Sequence, residues 1–229
     1  MTEPRPVLFS SARSPHCFKV SLVLHEKGVD FERVEIDLPA REQKTPAFLA
    51  LNPLGQVPVY ADEAGVHVDS LVIMRHLDRQ HPEPSLFPAD ATALADALAW
   101  IELSSTAMRD VSHHLYWQLI EPPEAGPDPA RVATLKAEGL TLLARVEAAL
   151  DAGDGWLVGG SLGAADLSVF AWLYGYARFD LPTSFDGFEH VADWRARIAA
   201  RPSFEASFGR RGRPFATWLA ERAATAPPG

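Results

Sequence analysis

The segment Ser14-Pro15-His16-Cys17 has the spacing of a C-x-x-C redox motif, but serine stands at its first position and Cys17 is the single cysteine of the chain. In redox proteins the first cysteine of that motif attacks, because the helix that follows it lowers the pKa of its thiol. A serine hydroxyl there is a hydrogen-bond donor rather than a ready nucleophile. The pattern predicts either a thiol enzyme that has lost one cysteine or a site whose reactive sulfur arrives on a ligand.

The N-terminal part of the chain alternates strand and helix signals around this segment. A short apolar run before it fits a buried strand, Pro15 suits the first turn of a helix, and Gly28 is a helix-stop signal. The predicted order is β-α-β-α-β-β-α, with strands in 5–10 and 30–38, a short helix in 45–55, a hairpin in 57–68 and a last helix that begins at Asp69 or Ser70. This order predicts a small α/β domain over residues 1–82.

The pattern changes after a proline-rich segment, residues 83–90, which is interpreted as a linker. Helical periodicity follows in residues 91–119, 130–150, 164–177 and 191–201, the last helix being stopped at Pro202. No alternating strand pattern occurs after residue 90. The sequence therefore predicts an all-helical C-terminal domain over residues 91–229.

The composition excludes several classes of function. Hydrophobic residues make up 47% and charged residues 22%, which is typical of a soluble globular protein, and the net charge of −9 disfavours nucleic acid as a partner. The basic cluster at 210–213 is expected to be a solvated turn. No apolar run approaches the ~18 residues of a membrane span, and no signal-peptide pattern is recognised at the N-terminus. A single cysteine suits a reducing compartment, so we expect a cytoplasmic location and no membrane partner.

Three features of the N-terminal part could together hold a small anionic, peptide-like molecule. The helix that begins after Ser14 directs N–H groups and a positive dipole end toward an anion such as a thiolate. The helix at Asp69 and Ser70 does the same for a carboxylate. Between them Pro58 opens a strand without an N–H group, so the backbone of Val57 can pair with an extended peptide.

The ordered set of motifs resembles the cytosolic glutathione transferases over nearly the whole chain. The segments that carry the resemblance are LFSSARSPHCFKV, NPLGQVPVY, VDSLVIMRHLD and LVGGSLGAADLSVFAWL. The first segment is most similar to the serine-type branches, the zeta, phi and theta classes. The resemblance implies a thioredoxin-like N-terminal domain, an all-α C-terminal domain, glutathione as co-substrate and a homodimer.

The resemblance also implies roles for individual residues. Ser14 falls where those classes hold the catalytic serine, which donates a hydrogen bond to the glutathione sulfur, and Cys17 is then a buried structural thiol. Val57, before the family's cis-proline Pro58, would pair with the cysteinyl part of glutathione. Asp69 and Ser70 would bind its γ-glutamyl end. The less direct carry-overs are Gln43, Lys44 and Gln56 for the glycyl end and backbone of glutathione, and Met108, Ser112 and Tyr116 for the pocket of the second substrate.

Two features differ from the family pattern or stand outside it. The family's Ser/Thr-x-x-Asp helix cap is here Gly163-Ala164-Ala165-Asp166, and glycine is a tolerated N-cap that costs only a few tenths of a kcal/mol. His113 and His114 are adjacent, so on a helix they point about 100° apart and suit one metal ion poorly. No metal is expected, because a hydroxyl and a helix end suffice for the sulfur chemistry.

Three functions remain open from the sequence. The first is conjugation of the glutathione thiolate to electrophilic, mostly apolar substrates, a detoxification reaction. The second is a glutathione-dependent isomerase similar to maleylacetoacetate isomerase, suggested by the zeta-like RSPHC segment. The third is a binding or regulatory protein with the glutathione transferase fold and no turnover.

Overall fold

The computed structural model describes residues 5–176, 179, 181 and 187–225. The chain divides into two compact units, one formed by Met1–Pro84 together with Pro202–Gly229 and the other by Ser85–Arg201. The first unit has the predicted order β-α-β-α-β-β-α. Its elements are β1 (Val7–Ser10), α1 (Pro15–Glu26), β2 (Glu32–Glu35), a 3₁₀ turn (Glu42–Lys44), α2 (Pro46–Leu49), β3 (Val59–Asp62), β4 (Gly65–Val68) and α3 (Ser70–Gln80).

The strands form one mixed sheet in the order β4-β3-β1-β2-β5, where β5 is a short strand at Arg213–Pro214. β1 runs parallel to β2 and antiparallel to β3. β1 is therefore the central strand, and all four of its residues are buried. Because β1 leads directly into the Ser14 segment, the central strand of the sheet positions that segment.

One face of the sheet is closed by the C-terminal helix α10 (Phe215–Thr225). Val7 and Phe9 of β1 share a buried cluster with Phe215 and Trp218 of this helix. The rings of Phe9 and Trp218 meet edge to face, with centroids 4.9 Å apart, an arrangement that adds to the free energy of area burial. The apolar face of α10 thus completes the core of the first unit.

α1 and α9 (Pro202–Ser207) pack against each other in the same unit, joined by two hydroxyl contacts. Ser21 donates a hydrogen bond to Ser207 over 2.8 Å, and Ser203 donates to the carboxylate of Glu26. Pro202 was expected to stop the preceding helix, and α8 (Glu189–Ala199) does end before it. Pro202 is then the first residue of α9. Proline is tolerated in the first turn of a helix, where its missing N–H would have no partner within the helix, although it ends a helix that precedes it.

β5 corrects the prediction that residues after 90 are all helical. Its two residues pair in parallel with Val34 and Glu35 of β2, and Gly212 lets it approach, because a Cβ atom on Gly212 would lie 2.3 Å from the carbonyl oxygen of Arg33. Residues 202 onward, which the sequence analysis places in the domain 91–229, lie in the same compact unit as the N-terminal residues. A two-residue strand is too short to give a periodic signal.

The second unit is helical in the part of it that the structure describes. Residues 91–119 form the predicted long helix, but with a π-helical turn inside it, so that it consists of α4 (Ala91–Leu103), the π segment (Ser104–Met108) and α5 (Arg109–Leu119). The remaining helices are α6 (Pro129–Ala152), α7 (Ala164–Tyr176) and α8. The last residue of the predicted 164–177 helix, Ala177, lies outside the described residues.

The carboxylate of Asp166, in the first turn of α7, organises the N-terminus of that helix. It accepts hydrogen bonds from the N–H groups of Leu157 (3.0 Å) and Gly163 (2.9 Å) and from the indole of Trp194 (2.8 Å). Gly163 occupies the cap position and accepts from Leu167 N–H through its carbonyl. The hydrogen bond from the backbone N–H of the cap residue to the carboxylate three positions later is therefore kept. The second bond of the family's cap, accepted by a Ser or Thr hydroxyl, is absent because Gly163 has no side chain.

None of the helices in the described residues is long and apolar enough to cross a membrane.

Candidate functional site

Ser14 and Cys17 lie at the start of α1 in clearly different environments. Ser14 is the N-cap, with φ −99° and ψ 117°, and its half-buried hydroxyl oxygen accepts the N–H of Cys17 over 3.3 Å. An oxygen that accepts in this way still has its own proton to donate. Cys17 is 3% exposed, and burial raises the pKa of its thiol to about 12, against the smaller opposing effects of hydrogen bonds from Ser14 and Ser11. The buried thiol is protonated at neutral pH, in agreement with a structural cysteine.

The N-terminus of α3 carries Asp69 and Ser70, the second predicted anion site. Asp69 is the N-cap, and its Oδ1 accepts from Leu71 N–H (2.8 Å) and Val72 N–H (3.2 Å), so that Oδ2 is not used by the cap. Its backbone has φ 72° and ψ 131°, a conformation that costs an L-residue about 1–3 kcal/mol and that is concentrated at functional sites. Ser70 is 5% exposed.

His16 connects these two helix ends. It follows Pro15 in the first turn of α1, and its Nδ1 lies 3.2 Å from the hydroxyl oxygen of Ser70. The hydrogen bond holds the first turn of α1 against the first turn of α3, so the two N-termini predicted to bind parts of one ligand are fixed relative to each other.

The peptide bond between Val57 and Pro58 is cis. Pro58 is buried and Val57 is half-buried, with its side chain packed against the core cluster under α10. The ladder of β3 begins only at Val59, opposite Phe9. The peptide group of Val57 consequently lies ahead of the ladder, in a position to pair with an added extended segment.

Of the residues predicted for the glycyl end of a ligand, Gln43 and Lys44 lie in the 3₁₀ turn before α2, and Gln56 lies between α2 and β3. Lys44 is exposed, and its ammonium donates to the carbonyl oxygen of Leu54 over 2.9 Å, a contact that leaves its charge unneutralised. The side-chain oxygen of Gln43 is buried, without a hydrogen-bond partner among the described residues. Gln56 is exposed, and its backbone carbonyl oxygen accepts a hydrogen bond from the side-chain amide of Asn52.

Comparison with known proteins gives matches over both parts of the chain. Residues 8–85 match the model of the glutathione S-transferase N-terminal domain, and residues 108–202 match that of the C-terminal domain. Glutathione S-transferase 3 of Zea mays is 35% identical over 202 residues, which are 86% of this chain and 90% of that protein. The chain belongs to the cytosolic glutathione S-transferase family.

Two further relatives are a protein named as an isomerase and a theta class glutathione S-transferase. The "Probable maleylacetoacetate isomerase" of Caenorhabditis elegans is 32% identical over 91% of this chain and 99% of that protein. A theta class glutathione S-transferase from Xanthomonas axonopodis pv. citri, solved with glutathione bound, is 30% identical, with a TM-score of 0.78 over 90% of this chain and 98% of that one. The thioredoxin-like N-terminal fold and the helical C-terminal fold are thereby confirmed.

The residues predicted for the second-substrate pocket lie one helical turn apart on the π segment and α5. Met108 is fully buried, and its carbonyl oxygen accepts from the hydroxyl of Tyr176. Ser112 and Tyr116 are half-buried, and Tyr116 donates to Glu121. Ser112 and Tyr116 thus retain surface for a ligand, whereas Met108 belongs to the core of the second unit.

Sequence reasoning missed the residue that shapes the turn before Ser14. Glu35, the last residue of β2, accepts hydrogen bonds from Ala12 N–H over 3.0 Å and from the Ser11 hydroxyl over 3.5 Å. β1 and β2 are parallel, with Ser10 opposite Glu35. A polar residue at the end of the second strand is the signal that could have placed this carboxylate beside the Ser14 turn.

His113 and His114 both lie in α5 and make separate contacts. His114 contacts the carbonyl oxygen of Asp110, and His113 accepts from the indole of Trp117. Their rings lie at 83° to each other. Each histidine therefore contacts another residue of α5.

Proposed function

We propose that this protein is a glutathione transferase in which Ser14 stabilises the glutathione thiolate. One observation carries the proposal: the hydroxyl of Ser14 lies at a helix N-terminus with its proton available, while the thiol of Cys17 is buried and protonated. The sulfur that reacts must then come from the substrate. Glutathione supplies such a sulfur, and the Xanthomonas relative was solved with glutathione bound.

The free energies suffice for the activation of the thiol. A cysteine thiol has a pKa of about 8.5, and lowering it by about 2 units requires roughly 2.7 kcal/mol of preference for the anion. A hydrogen bond to a charged group contributes about 1.5–3 kcal/mol, and a helix N-terminus adds about 0.3–1 kcal/mol. The Ser14 hydroxyl and the end of α1 together reach this amount without a metal ion.

In the reaction, the thiolate of glutathione attacks an electrophilic carbon. A carbon–sulfur bond forms with the electron pair of the sulfur, and the bond to the leaving group breaks, the leaving group taking its electron pair with it. The thiol proton passes to solvent when the thiolate forms. Ser14 keeps its own proton throughout, because its role is to donate a hydrogen bond to the anion.

The remaining glutathione contacts follow from the helix ends and the strand edge. Ser70 and the N-terminus of α3 bind the γ-glutamyl carboxylate, and Asp69, through its Oδ2, binds the γ-glutamyl ammonium. The peptide of Val57, held by cis-Pro58, pairs with the cysteinyl part. Gln43, Lys44 and Gln56 bind the glycyl end, where the charge of Lys44 suits a carboxylate.

The electrophile is an apolar small molecule bound with the help of Ser112 and Tyr116. The proposal includes a homodimer in the cytoplasm with a role in detoxification, all three following from family membership. Sedimentation equilibrium at micromolar concentration should give twice the 25.0 kDa of one chain. A single 25.0 kDa species would contradict the dimer.

Glutathione-dependent isomerisation is the second candidate, favoured by the Caenorhabditis elegans relative and by the RSPHC segment. The same thiolate would add to a double bond of the substrate and leave again after rotation. Glutathione would then be regenerated at each turnover, so measuring its consumption alongside product formation separates isomerisation from conjugation.

The test compares the wild type, Ser14→Ala and Cys17→Ala. Ser14→Ala should raise the pKa of bound glutathione and reduce conjugation at neutral pH, with a loss that shrinks as pH rises, because alkali ionises the thiol without the hydroxyl. Cys17→Ala should keep the wild-type pH profile. Conjugation from pH 6 to 9 and the ultraviolet absorbance of the bound thiolate are the measurements. Loss of turnover in Cys17→Ala with full activity in Ser14→Ala would disprove the proposal.

A further inference from the structure

Asp62, His67 and His76 form a cluster of potential metal ligands in the first unit. Asp62 is the last residue of β3, His67 lies in β4 and His76 in α3. The Nε2 of His76 lies 2.5 Å from Oδ2 of Asp62, and the Nε2 of His67 lies 3.1 Å from its Oδ1. One ligand atom from each of the three residues lies within 4.8 Å of those of the other two.

The register of the hairpin creates this arrangement. Tyr60 and Asp62 are two residues apart on β3 and share one face, and His67 is directly opposite Tyr60 on β4. α3 packs against both strands and brings His76 to the same face. The two imidazole rings stack with centroids 3.8 Å apart and planes 23° apart, so both rings direct Nε2 toward the one carboxylate.

The side chains of the cluster are largely buried but keep some contact with solvent. The side chains of His76, Asp62 and His67 are 7%, 15% and 18% exposed. The Oδ1 of Asp62 also accepts the N–H of Ala64 over 3.0 Å, which fixes the orientation of the carboxylate. The buried ring of Tyr60 lies beside both imidazoles, with centroids 6.3 and 6.2 Å away. An oriented carboxylate and an adjoining apolar wall are the surroundings that support a metal ion in proteins.

We propose that Asp62, His67 and His76 bind one Zn²⁺ ion. Two imidazole nitrogens and one carboxylate oxygen are the ligand types that zinc takes, with a fourth position for water. Around a tetrahedral zinc ion with ligands at about 2.0–2.1 Å, neighbouring ligand atoms lie roughly 3.3 Å apart. The Nε2 atom of His76 lies 2.5 Å from Oδ2 of Asp62, and the Nε2 atom of His67 lies 3.1 Å from the other oxygen, Oδ1. With one ligand atom taken from each residue, all three lie within 4.8 Å of one another, so small adjustments bring them to that spacing. Small rotations of the two rings let both Nε2 lone pairs converge on the ion.

The simpler interpretation of the same contacts is a triad held by hydrogen bonds without a metal ion. It would require both imidazoles to carry a proton on Nε2 and to share one carboxylate while their rings stack. A zinc ion replaces the protons on both Nε2 atoms, and each imidazole stays neutral by carrying its proton on Nδ1 instead. The positive charge of the ion then neutralises the Asp62 carboxylate more completely than two neutral N–H donors do. Binding zinc therefore satisfies all three side chains.

The bound ion would connect β3, β4 and α3 by coordination bonds. Asp69 and Ser70 lie between His67 and His76 in the sequence, so the ion would clamp the hairpin to the helix whose N-terminus they form. The site does not supply the sulfur chemistry, and its function is to stabilise the fold. It is independent of the proposed glutathione transferase activity.

The test uses the tag-free chain, stripped of metal with a chelator and titrated with zinc chloride by calorimetry at about pH 7.5, where imidazole is largely neutral. We expect one Zn²⁺ per chain and a rise in melting temperature with zinc concentration. Co²⁺ in the same site should show the intense visible absorption of a four-coordinate ion, whereas weakly attached Co²⁺ keeps the faint spectrum of the hydrated ion.

Two variants test the ligands, with His113→Gln as the control for an exposed histidine elsewhere in the chain. His67→Gln and His76→Gln should each weaken zinc binding by more than the roughly 10–100-fold that loss of an outer-shell partner costs. His76 is buried, so the more exposed His67 supplies the variant that is expected to fold. His113→Gln should bind zinc as the wild type does.

Three results would overturn the proposal. The first is the absence of saturable one-to-one zinc binding by the wild type. The second is unchanged affinity in a folded His67→Gln protein, with folding judged by its circular dichroism. The third is an equal loss of affinity in His113→Gln, which would indicate attachment to surface histidines in general.

Discussion

The Nδ1 atom of His16 lies 3.2 Å from the hydroxyl oxygen of Ser70, although the two residues are 54 positions apart in the sequence. One residue belongs to the first turn of α1 and the other opens α3. The contact makes the orientation of the Ser70 hydroxyl depend on α1, the helix that also holds Ser14. The side chain of His16 thus links the proposed sulfur site to the proposed γ-glutamyl site.

Ser70→Ala should weaken glutathione binding by about 1–3 kcal/mol, the cost of losing a hydrogen bond to a charged group. His16→Phe should weaken it less, by about 0.5–1.5 kcal/mol, because the hydrogen bond that it removes from Ser70 is to a neutral hydroxyl rather than to the charged ligand. Titration calorimetry with glutathione measures both, and the exposed Ser161→Ala serves as the control. Unchanged affinity in Ser70→Ala would refute the assignment of the γ-glutamyl site.

The burial of Cys17 predicts a dependence of stability on alkaline pH. In the unfolded chain the thiol ionises near pH 8.5, whereas burial in the folded protein raises its pKa to about 12. Between these values the folded state binds one more proton than the unfolded state. The free energy of unfolding therefore falls by about 1.4 kcal/mol per pH unit from this group, a loss that Cys17→Ala does not share.

Urea unfolding of the wild type and Cys17→Ala from pH 7 to 11 tests this relationship. At neutral pH the variant should be less stable by roughly 1 kcal/mol, since it creates a small cavity. The difference should shrink as pH rises and then change sign. A difference that stays constant across the range would show that the thiol ionises equally in both states.

Asp166→Ala should destabilise the protein by about 3 kcal/mol or more, because three N–H donors each lose their acceptor at about 1–3 kcal/mol per buried group. Asp166→Asn should destabilise the protein less. The one oxygen of the asparagine side chain can still accept hydrogen bonds from some of the three donors, whereas its NH₂ group cannot accept from the others. Chemical denaturation measures both changes. The exposed Asp154→Asn is the control, and an equal effect there would contradict a special role for Asp166.

Gly212→Ala should destabilise the first unit by about 1–3 kcal/mol, the usual cost of forcing atoms into a packed site. The added Cβ atom would lie 2.3 Å from the carbonyl oxygen of Arg33. A backbone atom cannot relieve such a clash by changing rotamer, as a side-chain atom can. Gly160→Ala is the matched control, because its Cβ atom would meet nothing nearer than 3.6 Å. Equal stability of the two variants, measured by urea unfolding, would show that β5 is free to shift.

Local patterns in the sequence determined a large part of this protein. The order β-α-β-α-β-β-α, the helix start after Ser14 and the N-cap at Asp69 or Ser70 all depend on contacts between residues a few positions apart. Such contacts leave periodic and capping signals that one sequence displays. The family's motifs added the predicted site residues, because the order and spacing of the motifs are specific when taken together.

The tertiary structure alone decided which distant residues meet. β5 consists of Arg213 and Pro214 and has no period to detect, so the return of the chain end to the sheet was missed. The burial of Met108, and the clustering of His76 with Asp62 across a strand and a helix, depend on how elements pack. Packing is set by the fit of whole surfaces rather than by neighbours along the chain, and a single sequence displays no signal of that fit.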